Sequence, residues 1–161
     1  MWWAAIVLSA FWGWSFIGLF DAIHYVMNDR IEQGLNRLAL FALVGLPIAC
    51  VVSFVIVGPA LRRLMQRPIG YLKAALWGAG LSAGIAFVNV VLGRMNGLMI
   101  WLDDSRFSQI GGGDYIRSID GILTPYGWQV LAFNNITFIA WCTLGALFIR
   151  LTVGPGRALE T

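Results

Sequence analysis

The chain has 161 residues, of which 59% are hydrophobic and 12% charged, and its net charge is +3. Soluble domains use roughly 45–50% apolar and about 25% charged residues, so this composition excludes a soluble protein and indicates an integral membrane protein. The small net charge provides no basic footprint for nucleic acid. We expect one membrane domain over residues 1–161.

Four apolar segments predict four transmembrane helices. They cover about residues 1–20, 38–61, 74–93 and 130–149. At about 1.5 Å per residue, a helix of some 20 residues just spans the roughly 30 Å hydrocarbon core. Pro47 predicts a kink in the second helix, because proline removes a backbone donor and clashes with the preceding turn. The predicted fold class is therefore all-α, a four-helix membrane bundle.

A short basic loop sets the predicted topology. Its positive residues are Arg62, Arg63, Arg67 and Lys73, and no acidic residue lies among them. Positive charge near the ends of spans is retained on the cytoplasmic side. We therefore expect this loop and both termini to be cytoplasmic, in a plasma (bacterial inner) membrane. Residues 21–37 and 94–129 are then exterior or periplasmic loops.

The third predicted span, residues 74–93, is rich in small residues. Gly80 and Gly84 form a GxxxG pair, and Ala79 and Ala83 continue a second ridge beside it. In lipid, small residues permit the close backbone approach through which helices associate. We expect this face to pack either within the bundle or against another subunit.

The polar side chains inside the predicted spans are amides and hydroxyls, because the four spans contain no Asp, Glu, Lys, Arg or His. This absence argues against a proton- or cation-coupled transporter. Asn89 lies at the same expected depth as Asn134 and Asn135 on an antiparallel helix. We predict a hydrogen bond from Asn89 to one of them, either as a structural clasp or as the lining of a small outer pocket.

The only long polar interruption is the loop at about residues 101–128, which we expect to be a structured exterior loop. Its acidic residues are Asp103, Asp104, Asp114 and Asp120. Their spacing fits no calcium-binding motif, so we expect solvated or ion-paired carboxylates. Helix-start residues at Asp103–Ser105 and the i, i+3 pair of Asp114 with Arg117 favour two short surface helices joined by glycines.

Cofactor binding has only weak support in the sequence. His24 is the single histidine, which excludes a bis-histidine haem within one chain and leaves an axial ligand as the alternative to an ordinary interfacial residue. Trp12, Trp14 and Trp141 lie near mid-membrane, where they either fill an internal core or mark a partner surface. No resident cofactor or metal is predicted, although a bound lipid or pigment is compatible with these aromatic spans.

Catalytic motifs are missing from the sequence: there are no paired carboxylates within the spans, no Ser/His/Asp set and no phosphate-binding loop. Our first hypothesis is a non-catalytic accessory or structural subunit of a larger membrane complex. Its partners would be lipids and other membrane subunits, or further copies of the chain. The alternative is a membrane-embedded sensory or signalling input domain that binds a ligand at the exterior loop or the Asn-lined pocket.

Overall fold

Helices account for most of the computed structural model, which describes residues 2–27, 31–64, 66–103, 105 and 107–154. They are α1 (Trp2–Met27), α2 (Ile31–Leu64), α3 (Tyr71–Trp101) and α4 (Pro125–Val153). Three of them, α2, α3 and α4, are long and apolar enough to cross a membrane. Helix α1 contains a shorter apolar stretch, Trp3–Phe16. The prediction of a helical membrane protein is confirmed at this level.

The helices extend beyond the predicted spans. Helix α1 continues to Met27 and α2 begins at Ile31, so most of the predicted 21–37 connector is helical. Helix α3 continues through Arg94 to Trp101. A charged residue ends an apolar run without ending a helix, because its long side chain can reach a polar layer while the backbone stays hydrogen-bonded.

Two π-helical turns interrupt α2, at Phe41–Gly45 and Ser53–Val57. Each ends two residues before a proline, Pro47 or Pro59. A proline ring clashes with the carbonyl group four residues earlier, and in both cases that carbonyl lies within the π turn. The disturbance expected at Pro47 therefore takes the form of a widened turn, and Pro59 has a second one that the sequence analysis did not predict.

The chain groups into two compact units, Met1–Ala79 with Trp141–Thr161 and Gly80–Ala140. In the first unit, the buried side chains of α1 include Ala5, Ile6 and Ala10. Helix α1 packs on α2, and a Cβ atom at Gly58 would lie 3.2 Å from Cδ1 of Ile6. Small residues therefore let these two helices approach closely.

The second unit contains a small antiparallel sheet, which corrects the all-α expectation. Its strands are β1 (Gln109–Ile110), β2 (Ser118–Ile119) and β3 (Ile122–Leu123), in the order β1-β2-β3. The pairs are Gln109 with Ile119, Ile110 with Ser118, Ser118 with Leu123 and Ile119 with Ile122. A single 3-10 turn, Gly113–Tyr115, lies between β1 and β2. The second predicted surface helix is therefore reduced to this turn, and the first, expected to start at Asp103–Ser105, lies partly outside the described residues.

Candidate functional site: helix contacts and the hairpin above them

Two tryptophans join α1 to α4 in the first unit. The indole Nε1 of Trp12 donates to the carbonyl oxygen of Trp141 at 2.8 Å, and Nε1 of Trp141 donates back to the carbonyl oxygen of Trp12 at 3.1 Å. Their rings stack with centroids 5.1 Å apart and planes at 25°. Each indole N–H thus has an acceptor, which is what a buried tryptophan requires.

The ring of Trp12 fits against a glycine of α4. A Cβ atom at Gly145 would meet this ring and would lie only 2.6 Å from Nε1, so only glycine fits without displacement. Phe148, one turn further along α4, also stacks on Trp12, with its ring centroid 5.1 Å from that of Trp12. Trp12 and Trp141 therefore pack against each other and against α4 within the chain, and their use as a partner surface stays a prediction.

Trp14 makes a separate internal contact with α2. Its Nε1 donates to the carbonyl oxygen of Phe41 at 2.8 Å, and the same oxygen accepts from the backbone N–H of Leu46 at the end of the first π turn. The indole ring lies beside two glycines: a Cβ atom would approach it to 3.0 Å at Gly18 and to 3.4 Å at Gly45. The π turn thus presents a carbonyl that an indole from another helix can reach.

The small residues of α3 divide into two faces. Gly78 packs on α4, where a Cβ atom would lie 2.6 Å from Cβ of Ala146. Ser82 and Ala86, one and two turns further on, are buried. The GxxxG pair has the opposite environment: Gly80 and Gly84 are exposed, and nothing in the described structure lies within 4 Å of a Cβ atom at either position. Ala83 is also exposed and Ala79 is half-buried.

The three predicted asparagines do not come together. Nδ2 of Asn135 donates to the carbonyl oxygen of Leu131 in its own helix at 2.7 Å. Asn89 and Asn134 are exposed. The expected hydrogen bond from Asn89 to Asn134 or Asn135 is not among the hydrogen bonds of the residues that the structure describes. An amide can bond to the carbonyl four residues earlier, and this local partner competes with a distant one.

Asn135 instead lies at an open groove between α3 and α4 in the second unit. The groove has a volume of about 300 Å³. Its lining is apolar apart from Asn135: Ala86, Phe87, Val90, Trp128, Leu131 and Ala132. Asn89 and Asn134 are not part of this lining. The groove therefore differs from the predicted Asn-lined pocket in having one amide and a mainly hydrocarbon wall.

A hairpin fixes the loop to the end of α3. The two turn residues between β2 and β3, Asp120 and Gly121, have φ angles of 47° and 78°, as a two-residue type I′ hairpin requires. Gly121 touches Gly97 of α3, since a Cβ atom on either glycine would collide with the carbonyl oxygen of the other. Nη1 of Arg94 donates to the carbonyl oxygen of Gly121 at 3.4 Å. Arg94 therefore helps to hold the loop.

The chain matches no family model, no curated protein and no solved structure among those compared.

Two of the four loop acids have hydrogen-bond partners within the loop. Asp120 receives the backbone N–H of Ser108 at Oδ1 (3.2 Å), and its own N–H donates to the carbonyl oxygen of Ser108 at 2.7 Å. Asp103 accepts from both the backbone and the hydroxyl of Ser105. Asp114 is exposed, and Asp104 lies outside the described residues. Within the described part of the chain, no group of three or more His, Cys, Asp or Glu residues is placed to bind a metal ion.

Thr124 positions the start of α4. Its Oγ1 accepts the backbone N–H of Gly127 at 3.0 Å, and Pro125 follows it in the first helical position. Thr124 is therefore the N-cap of α4. Proline suits the first helical position that follows, because the backbone N–H of that position has no acceptor within the helix. The backbone N–H of Thr124 donates to the carbonyl oxygen of Arg117 at 3.0 Å, so the cap also joins the helix to the loop.

The four basic residues predicted to set the topology are exposed: Arg62 and Arg63 at the end of α2, Arg67 in the α2–α3 loop and Lys73 at the start of α3. The end of α4 lies beside this loop, within the first unit. Nε of Arg150 donates to the carbonyl oxygen of Ile69 at 2.6 Å, and its guanidinium carbon lies 4.8 Å from the ring centroid of Tyr71. The α2–α3 loop and the C-terminal end of α4 are therefore on one side.

His24 lies in α1, but its side chain is outside the described part of the structure. The axial-ligand hypothesis thus stays a prediction. The hairpin and the helix cap were not predicted, although the sequence contains a local pattern for each. Ile119-Asp120-Gly121-Ile122 is an Asp-Gly pair between apolar residues, which is a strong local sign of a hairpin. Thr124-Pro125 is a cap residue followed by proline, a common helix start.

Proposed function

We propose that this protein is a non-catalytic subunit of a membrane protein complex, with four spans and both termini on the cytoplasmic side of a bacterial inner membrane. The observation that carries the proposal is the open face of α3 at Gly80 and Gly84. These glycines are exposed and have free space where a Cβ atom would stand. We infer that a helix of another subunit packs there.

The two small-residue faces of α3 differ in whether another part of the chain packs against them. The face at Gly78, Ser82 and Ala86 is occupied within the chain. The other face could also admit a neighbouring backbone, but none of the described residues comes within 4 Å of a Cβ atom at Gly80 or Gly84. Since apolar side chains gain nothing by leaving lipid, helix association in membranes depends on such close approach. A small-residue face that stays open suits an intersubunit contact.

The proposed topology is supported by charge at one end of the bundle. Arg150 lies against the loop that carries Arg67 and joins the end of α2, with Arg62 and Arg63, to the start of α3, with Lys73, so five cations gather on one side. The positive-inside rule assigns this side to the cytoplasm. Helix α1 would supply the fourth crossing, because its 26 residues at about 1.5 Å each exceed the roughly 30 Å hydrocarbon core.

The experiment compares complex formation in two variants. The Gly80→Leu/Gly84→Leu double variant fills the open face. Gly93→Leu is the control: it adds the same side chain on the opposite side of the helix from Gly84, where a Cβ atom also has free space. Each protein is extracted in mild detergent, sized and analysed by mass spectrometry. We expect fixed-ratio partner subunits with the parent and with Gly93→Leu, and their loss from the double variant. A parent protein that purifies as a lone monomer or homodimer would overturn the proposal.

A ligand-sensing input domain is the second candidate, favoured by the groove beside Asn135. Its volume of about 300 Å³ is at the lower end of the range for small-molecule sites. Native mass spectrometry of the purified protein tests this candidate directly. A bound small molecule that disappears in Asn135→Leu would support sensing, and an empty groove in the parent would exclude it.

A further inference from the structure

We propose that the Ile119–Ile122 hairpin inserts its apolar side chains into the headgroup layer of the bilayer, at the level of the last two turns of α3. The partner is the lipid surface itself. The proposal depends on α3 crossing the membrane, and not on the identity of any partner subunit.

The depth of the hairpin follows from charges along α3. Between Lys73 and Arg94 the helix carries no charged residue, and residues 74–93 are about 30 Å long, the thickness of the hydrocarbon core. Gly97 lies four residues beyond this stretch, so it is about 6 Å outside the hydrocarbon. The polar layer on each side is roughly 5–8 Å thick. Gly97 therefore lies within the headgroup layer.

The hairpin lies at the level of Gly97 because Gly121 touches it. The residues that flank the turn, Ile119 and Ile122, pair directly across β2 and β3. They are 44% and 53% exposed. About half of each apolar side chain is therefore left uncovered by the described residues, at the level of the headgroups.

The outer part of α3 is also apolar at this level. Met95, Leu98 and Met99 follow Arg94 and are at least half exposed. Exposing this set of apolar side chains to water would cost free energy. The headgroup layer can accommodate them, because it lies between the hydrocarbon and the water. Because these residues are continuous with the apolar length of α3 below Arg94, one lipid environment covers them all.

Spin labels at single cysteines test the depth. In a background with Cys50 and Cys142 replaced by alanine, the label is placed at Ile122→Cys, at Phe87→Cys as the control within the hydrocarbon, and at Asp114→Cys as the control in water. The protein is reconstituted in phospholipid nanodiscs, and collisions with oxygen and with a water-soluble nickel chelate are measured. We expect the Ile122 label to favour oxygen over nickel, at a depth between the two controls. Ile119→Cys repeats the measurement from the paired strand.

Each other result overturns the inference. Nickel access at residues 119 and 122 equal to that at residue 114 would place the hairpin in water. Protection from both reagents would mean that a protein surface covers it. Nickel access at Phe87 would show that α3 does not cross the membrane, and that result alone would also remove the basis of the proposed function.

Discussion

Trp12 and Trp141 exchange hydrogen bonds, each indole N–H donating to the backbone carbonyl oxygen of the other residue. Because both donors are on side chains and both acceptors on the backbone, either bond can be removed separately. The rings stack in addition, so a phenylalanine at either position keeps an aromatic contact while it loses the donor.

We expect Trp12→Phe and Trp141→Phe each to destabilise the protein. A hydrogen bond between membrane helices contributes about 0.6 kcal/mol on average and at most about 1.7 kcal/mol, and each variant should lose an amount in this range. The measurement is reversible unfolding in mixed micelles. Trp77→Phe is the matched control, because Trp77 is 49% exposed. Equal stability of all three variants would show that the exchanged bonds contribute nothing.

Gly145→Ala and Gly93→Ala should change stability in opposite directions. A methyl group at Gly145 collides with the Trp12 ring, and overpacking of this kind costs roughly 1–3 kcal/mol. At Gly93 there is free space, and alanine stabilises a helix interior by about 0.5–1 kcal/mol relative to glycine. The same unfolding assay measures both. A Gly145→Ala protein as stable as Gly93→Ala would contradict the close contact.

Gly97→Ala should release the hairpin without unfolding α3. The added methyl group meets the carbonyl oxygen of Gly121, while alanine itself favours the helix. If the methyl group destabilises the docked hairpin by about 1.4 kcal/mol, hydrogen exchange at the β2 and β3 amides becomes about tenfold faster. Gly112→Ala is the control, since Gly112 has φ of −150° and free space around it. Unchanged exchange in Gly97→Ala would rule out docking of the turn on α3.

Thr124→Ala should loosen the first turn of α4. It removes the oxygen that accepts the N–H of Gly127, and the loss of a threonine cap costs about 0.5–2 kcal/mol. Hydrogen exchange at Gly127 and Trp128 reports this directly. Thr124→Ser keeps the hydroxyl and should exchange like the parent protein. Faster exchange in the serine variant as well would point to a lost methyl contact rather than a lost cap.

The helices were predictable because their signal is a long apolar run, which depends on composition alone. The ends of the helices were harder to predict. Arg94 marks the end of the uncharged stretch of α3, but the helix continues to Trp101. The inward face of α3 was also not predictable. With apolar residues all around the helix, the sequence does not distinguish the Gly80–Gly84 face from the Gly78–Ser82 face, and only the position of α4 decides which one is covered.

The loop was predicted as structured but with the wrong elements. Its acidic residues suggested helix starts, whereas the decisive pair is Asp120-Gly121, which takes positive φ at both positions. The predicted contact of Asn89 failed for a related reason. Depth along a helix follows from counting residues, but the direction of a side chain around the helix depends on packing, and Asn135 uses a carbonyl of its own helix.

The tryptophan pair also sets an order of events during biosynthesis. Trp12 leaves the ribosome 129 residues before Trp141, so its indole N–H is synthesised long before the carbonyl oxygen that accepts it. Until α4 has been synthesised, α1 can make neither of the two exchanged bonds. The contact between α1 and α4 is therefore one of the last parts of this fold to form during synthesis.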